Sequence, residues 1–324
     1  MFKKWSDKKI IAASLAVMLL LSGCGGSAGG GAQGSDGAED TAKGETRMFT
    51  TVKGDVEIPV HPQRIITDNG LLGDMLALGV TPIAIENYGA TDVPYKDLIK
   101  DVKVLEKFEP EYLMAEKPDL IVTLYEDSYE QFSKIAPTVY VPANELETEE
   151  MLSFLSDTLG LGREKGKEVL DAYKAKVEVA KEKIREAGLY EKTFSVIRVQ
   201  GENQIGVRWS NNLGGQILFG ALELPMTEGA LKEIEVGEDW GATLSFEAVP
   251  EYMGDYILVT EYGNYQLIEN NPVWQSLPAV QKGNIIVLSE PYMYLNDVYS
   301  WSAQLDLVTE ELLKLVEKEK NSSM

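Results

Sequence analysis

"LGREKGKEVLDAYKAKVEVAKEKIREAGL", Leu161 to Leu189, decides how the chain is organised. Between Arg163 and Ala187 it has no proline and one glycine, Gly166, and Gly188 closes it. Strong helix formers followed by a glycine predict one continuous helix. At the α-helical rise it spans about 37 Å, the width of a small domain. A helix of that length either packs across one domain or joins two, so the flanking sequence has to decide.

On its N-terminal side, "RIITD" is apolar and β-branched, and "GLLGDMLALGV" repeats Leu and Met at helical spacing. A strand therefore feeds a helix. "TPIAIEN" reads as a strand, "EPEYLMAEKPDLIVTLYE" as a helix and a buried strand, "APTVYVP" as a strand and "TEEMLSFLSDTLG" as a helix. On the other side "TFSVIRV" and "QIGVRW" read as strands, followed by "NLGGQILFGALEL", "LSFEAVPEYMGDYILVTEY" and "NPVWQSLPAVQKGNIIVLSE" in the same rhythm, and a terminal helix, "YSWSAQLDLVTEELLKLVEKEK". Strand and helix in alternation predict parallel sheets covered by helices. The fold expected is α/β: two lobes, residues 49–162 and 189–324, joined by a single helix over 163–188 with a ligand cleft between them.

The 324 residues carry 30 Lys plus Arg against 52 Asp plus Glu, a net charge of -22. Such a surface repels nucleic acid and anionic membranes, so neither is expected as a docking partner. One cysteine excludes an internal disulfide framework and multi-cysteine metal sites. The single histidine, His61, lies in "PVHPQR" without a neighbouring ligand, so no metal site is expected. No P-loop, GxGxxG or G-x-S-x-G pattern occurs, and no catalytic residue or cofactor is assigned.

The N-terminus accounts for the cysteine. A basic "MFKKWSDKKI" and an apolar "IAASLAVMLLL" end in small residues before Cys24, which is a secretory signal over 1–23. "LSGC" resembles the bacterial lipobox, implying cleavage before Cys24 and a lipid on its sulfur. Residues 24–48, rich in Gly, Ser and acid, read as a flexible tether. A lipid-anchored protein on the outer face of the cytoplasmic membrane is expected, with a Gram-positive envelope the better fit.

Past the long helix the chain has only two arginines, Arg198 and Arg208, in "VIRVQGENQIGVRWSNN". A three-residue turn at Gly201-Glu202-Asn203 pairs Gln200 with Gln204, Arg198 with Gly206 and Val196 with Arg208. Both guanidinium groups then share a face, where they repel unless anions sit between them. A two-residue turn would send them to opposite faces. The plain alternative is two solvated arginines paired with nearby acids. Trp209 and the loop-located Tyr262, Tyr265, Tyr292, Tyr294, Tyr299 and Trp301 supply flat apolar surface. Aromatic walls with a few guanidinium donors suit a bulky, partly anionic organic ligand.

In order along the chain, "GDVEIPVHPQRII", "LLGDMLALGVTPIAI", "EPEYLMAEKPDLIV", "APTVYVP", "LGREKGKEVLDAY", "SFEAVPEYMGDYILV" and "NPVWQSLPAVQKGNIIVL" resemble the bacterial siderophore-binding lipoproteins. These are the cluster A, class III solute-binding proteins of ATP-driven iron and vitamin B12 importers. The resemblance runs from about Gly54 to Val316 and implies two lobes bridged by a rigid helix, capture of an iron(III)-siderophore, and no chemistry. It implies that Arg198 and Arg208 face siderophore oxygens, with Trp209 and Trp301 as walls and Tyr88 and Tyr125 opposite. Tyr262 and Tyr294 join them as candidate ligand contacts. Glu111 and Glu247 match the glutamates that meet arginines of a permease dimer driven by a cytoplasmic ATPase. A monomer is expected. "DVKVLEKFEPE" lacks the glycine usual before the glutamate-bearing helix, which leaves that rim open, with Lys103 or Lys107 as a candidate third cation. Two arginines favour a hydroxamate or citrate-hydroxamate complex over a triply charged triscatecholate. A corrinoid or haem carrier of the same type, and a surface-tethered adhesion or scaffold lipoprotein, are the alternatives.

Overall fold

A computed structural model describes residues 44–87, 92–202, 204–209, 213–237 and 240–322. The signal, Cys24, most of the tether and Tyr88 lie outside the described residues. From Gly44 onward the chain forms one compact unit.

An antiparallel hairpin, β1 (Thr46–Thr51) and β2 (Gly54–Pro59), opens the body. The first sheet follows, from β3 (Ile65–Thr67), β4 (Ala84–Glu86), β5 (Lys103–Leu105), β6 (Leu120–Thr123) and β7 (Thr138–Tyr140). Its order is β5-β4-β3-β6-β7 and all of its pairings are parallel. β3 and β6 are buried throughout because helices cover both faces. Side-chain alternation splits them: Ile65, Leu120 and Val122 join one core cluster, Ile66 and Ile121 the other. The covering helices are α1 (Asn69–Ala77), α2 (Pro110–Ala115), α3 (Tyr129–Phe132) and α4 (Thr148–Thr158).

The long helix is real: α5 runs Arg163–Glu186, 24 residues and about 36 Å. Lys183 and Arg185 complement the negative end of its dipole, and Gly188 takes the left-handed conformation just beyond it. Its buried positions show what it joins. Leu170 packs with Leu152 of α4, whereas Val177, Ala180 and Ile184 enter the core of the second sheet.

That second sheet comprises β8 (Phe194–Gly201), β9 (Gln204–Arg208), β10 (Gly241–Ser245), β11 (Tyr256–Glu261) and β12 (Ile285–Ser289) in the order β10-β9-β8-β11-β12. β8, β11 and β12 are parallel, and β9 and β10 antiparallel. The edge strand β10 was not anticipated; its mixture of Gly, Ala, Thr, Leu and Ser has no strong strand signature. The helix expected at "NLGGQILFGALEL" is a short π-helical stretch, Gln216–Ala221, with Leu222 N–H bonding Ile217 O at 2.8 Å. Around the sheet lie α6 (Glu228–Glu235), α7 (Gln266–Glu269), α8 (Pro272–Ser276), α9 (Pro278–Lys282), α10 (Glu290–Tyr294) and α11 (Val298–Ser322).

The hairpin register that matters is present: Val196 opposes Arg208 and Arg198 opposes Gly206. The turn differs from expectation. Gly201, not Gln200, pairs with Gln204, and the ladder is interrupted between Val199 and Gly201. A bulge at Gln200 absorbs the extra residue, so the arginines share a face although the connection has only two residues.

Two packed surfaces besides α5 hold the lobes together. Leu72 and Leu76 of α1 meet Leu295 and Tyr299, and Tyr95 meets Tyr299 ring to ring at 6.1 Å. Asp74 of α1 reaches the start of α11.

Candidate ligand cleft

Parallel α/β sheets place their binding crevices beyond the carboxyl ends of the strands. In the first sheet those ends deliver Asp68, Glu86 and Tyr125, after β3, at the end of β4 and after β6. Asp68 is buried and accepts from Gly70 N at 3.0 Å, Thr123 Oγ1 at 2.8 Å and Leu124 N at 2.6 Å. It thereby caps α1 and ties two strand ends together, while burial raises its pKa. The Tyr125 hydroxyl donates to Glu86 Oε2 at 2.7 Å, and its ring meets the edge of Phe108 at 5.9 Å. Burial first, and then Glu86, push the Tyr125 phenol up, so it remains a donor.

In the second sheet Arg198 stands near the end of β8 and reaches over β11 to Glu290, the first residue of α10. The pair is bidentate: Nε to Oε2 at 2.7 Å and Nη2 to Oε1 at 2.7 Å. Arg198 keeps 41% of its side chain exposed, Glu290 only 13%. Arg208 is half-buried and makes no ion pair among the described residues; Nη1 donates to Val207 O at 3.0 Å. Its guanidinium lies against two glycines. A Cβ on Gly206 would sit 3.0 Å from Nη2, and one on Gly241 3.0 Å from Nη1. Desolvation and then the neighbouring Arg198 lower its pKa, which Glu290 partly opposes.

The loops beyond the two sheets approach each other. Burial, and then the charge of Asp92 in the loop after β4, raise the pKa of Tyr292 in α10. Tyr262 and Tyr294 are 67% and 50% exposed.

One aromatic residue, Trp209, does not share the arginine face. Trp209 is 3% exposed and packs in the core with Ile205 and Val207, because neighbours along a strand face opposite ways. Trp301 lies on α11 against Tyr173 of α5 at 5.8 Å and donates Nε1–H to Asn296 Oδ1 at 3.0 Å, which places it at the junction of the bridging helix and α11. Lys103 is engaged by Glu116, and Lys107 faces Glu109 at 3.9 Å, so both have carboxylate partners. Glu111, in the first turn of α2, and Glu247, just beyond β10, are exposed and make no ion pair among the described residues. Sequence reasoning missed Glu86 and Glu290. For Glu86 a signal was available: in "AIEN" the glutamate directly follows the buried Ala84 and Ile85. Glu290, behind Ser289 and the half-exposed strand β12, had none of that kind.

Among the described residues no three His, Cys, Asp or Glu converge to hold a metal, and no helix is long and apolar enough to cross a membrane.

The periplasmic binding protein family model matches residues 65–292, which contain both sheets and both strand-end rims. The chain belongs to this family. Its members are transport components, not catalysts. The iron(3+)-hydroxamate-binding protein YxeB of Bacillus subtilis (strain 168) is 32% identical over 327 residues, covering 97% of this chain and 99% of that protein. The iron(3+)-hydroxamate-binding protein FhuD of the same organism is 28% identical over 317 residues, covering 95% and 98%. Among solved structures, a FhuD fold-family protein from Bacillus subtilis, a component of a ferrichrome ABC transporter, matches with TM-score 0.71 and 26% identity. The match covers 82% of this chain and all of that one. The two-lobed α/β fold with one connecting helix is therefore the family's fold.

Proposed function

We propose that this chain is the extracytoplasmic binding component of an ABC importer, that it captures a ferric siderophore of the hydroxamate class, and that it hands the complex to a permease dimer without altering it. The observation that carries the reading is the same-face guanidinium pair: Arg208, half-buried and without an ion pair among the described residues, beside Arg198 at the strand-end rim. Such donors suit the carbonyl and N–O oxygens of a ferric hydroxamate that brings its own iron ligands. Relatives that are 32% and 28% identical over nearly their whole length and named for iron(3+)-hydroxamate binding support the same class.

The opposing rim is Tyr125 with Glu86, and Tyr262 and Tyr294 contribute exposed rings. The α5 bridge and the α1–α11 contact favour small lobe movements on binding over wide closure. The lobes divide at 162/163 and 188/189, Cys24 carries the lipid that holds the protein on the outer membrane face, and Glu111 and Glu247 dock one lobe each on the permease as a monomer.

Titration of intrinsic tryptophan fluorescence with ferrichrome, ferrioxamine B, cobalamin and haem tests this. Saturable quenching by the ferric hydroxamates is expected. Tight quenching by cobalamin or haem with no response to either hydroxamate would overturn the ligand class, and no response to any of the four would overturn the binding role.

A further inference from the structure

Glu290 closes the Arg198 side of the cleft wall. It begins a five-residue helix at the cleft rim, yet it is 13% exposed and spends both carboxylate oxygens on one guanidinium. By register, Arg198 opposes Thr260 and Thr260 opposes Leu288, so the Arg198 side chain crosses a whole strand to reach it. At a strand spacing of about 4.8 Å, that crossing uses the full length of an arginine and turns its two-pronged edge away from Arg208 toward the α10 side. The cleft wall thus holds two positive groups and one fixed negative group.

We infer that Glu290 is a charge filter, selecting ferric complexes with a neutral iron centre over anionic ones. This rests on the siderophore reading above. A ferric trihydroxamate has three singly charged ligands on iron(III), so its core is neutral. Its oxygens can accept from Arg208 and from the outward N–H groups of Arg198 while the Arg198–Glu290 pair stays intact. A triscatecholate or citrate complex presents net negative charge and competes for the same bidentate edge. It must either displace a largely buried carboxylate or bind beside it, and both are unfavourable in a partly desolvated site. The filter narrows the ligand class from hydroxamates and citrate-hydroxamates to those whose bound surface carries no free carboxylate.

The test compares the native chain, Glu290→Gln and the double variant R198Q/E290Q, using ferrichrome as the neutral probe and a ferric triscatecholate as the anionic one. Glutamine keeps the shape and one acceptor but removes the charge. Glu290→Gln is expected to shift the ratio of the two Kd values by about tenfold or more in favour of the triscatecholate. The double variant restores the native net charge and is expected to return the preference to the native value, which a purely structural role for Glu290 would not do. A Glu290→Gln protein that melts like the native one but shifts both Kd values by the same factor overturns the filter. A double variant that keeps the altered preference overturns it as well. If the native chain binds neither ferric complex, it is the siderophore reading that falls.

Discussion

Asp74 Oδ1 accepts the backbone N–H of Val298 at 3.0 Å, so a carboxylate from the first lobe caps the first turn of α11 in the second. Asp297, the residue before that helix, accepts from Ser300 N at 2.7 Å and Ser300 Oγ at 2.8 Å. Both aspartates are buried, and the approach is close enough that a Cβ on Gly73 would lie 1.9 Å from Asp297 Oδ1. The seam between the lobes is therefore polar at its centre, with Leu72, Leu76 and Leu295 beside it.

The Asp74–Asp297 pair makes stability pH-dependent. Burial, and then the facing Asp297, push the Asp74 carboxyl above its ordinary 3.8; burial also raises Asp297, opposed by its bonds to the start of α11. The folded state then holds a proton that the unfolded state has released. The stabilising contribution is fully present below the unfolded value and is lost as pH rises toward the folded one. Asp74→Asn removes this titration while keeping an oxygen for Val298 N–H. Melting temperatures across about pH 5 to 8 should show the native protein losing stability relative to Asp74→Asn as pH rises. A constant difference would mean that Asp74 is already ionised throughout.

Gly166 sets how closely α4 and α5 pack. A Cβ there would meet the Leu152 carbonyl carbon and oxygen at 2.4 Å and Ser153 N at 2.6 Å, and backbone atoms cannot yield as a side-chain tip can. Gly166→Ala should lower unfolding stability by about 1–3 kcal/mol in a denaturant titration, the usual cost of overpacking. Because the clash is remote from the strand-end rims, ligand affinity of the folded fraction should stay native.

Gly206 presents the opposite case. A Cβ at Gly206 would lie 3.0 Å from Arg208 Nη2 and from Gln200 Nε2, both ends of flexible side chains. Gly206→Ala should keep its melting temperature within a few degrees and displace the Arg208 guanidinium, weakening ferric hydroxamate binding by about threefold to tenfold. Gly241→Ala is the contrast: its Cβ would strike Val207 O at 2.2 Å with φ at +145°, so there the fold itself should suffer. Fluorescence titration beside a melting curve separates the two. Native affinity in Gly206→Ala would remove Arg208 from the binding wall.

The long helix, the alternation of strand and helix and the arginine register were legible because each rests on local periodicity or on single residues. Arg163 to Ala187 has no proline and a single glycine, and the two arginines are ten positions apart on an alternating hairpin. What was missed has three causes. Glu290 meets Arg198 across 92 positions of sequence, so composition could say only that acids were plentiful. Trp209 was assigned by adjacency to Arg208, when alternation sends adjacent strand residues to opposite faces. The bulge at Gln200 compensated for a shorter connection, so the same-face geometry survived a turn of different length. The Asp74–Val298 contact spans 224 positions and left no trace in the sequence pattern.

Arg208→Ala and Arg198→Ala should differ. Arg208 makes no ion pair among the described residues, so its loss removes donor groups and strands none of their charges. A charge-assisted hydrogen bond contributes about 1.5–3 kcal/mol, which corresponds to a ferric hydroxamate Kd weaker by about tenfold to a hundredfold. Arg198→Ala removes donors and also leaves Glu290 unpaired at 13% exposure, so it should lower the melting temperature as well as the affinity. Unchanged ferrichrome affinity in both variants would show that the ligand does not contact this wall.

Glu111 and Glu247 offer the sharpest separation of binding from transport. Both are exposed, one in the first turn of α2 in the first lobe and the other beyond β10 in the second, and neither makes an ion pair among the described residues. Removing an unpaired exposed carboxylate changes stability by less than about 0.5 kcal/mol. Glu111→Ala and Glu247→Ala should therefore melt and bind ferric siderophore like the native protein. If each glutamate meets a permease arginine, each single variant should slow iron-siderophore uptake by cells, and the double variant should slow it further, since the contacts lie on separate lobes and add independently. Uptake of a radiolabelled ferric hydroxamate by cells expressing each variant at equal level measures this. Native uptake by the double variant would move the docking surface elsewhere on the protein.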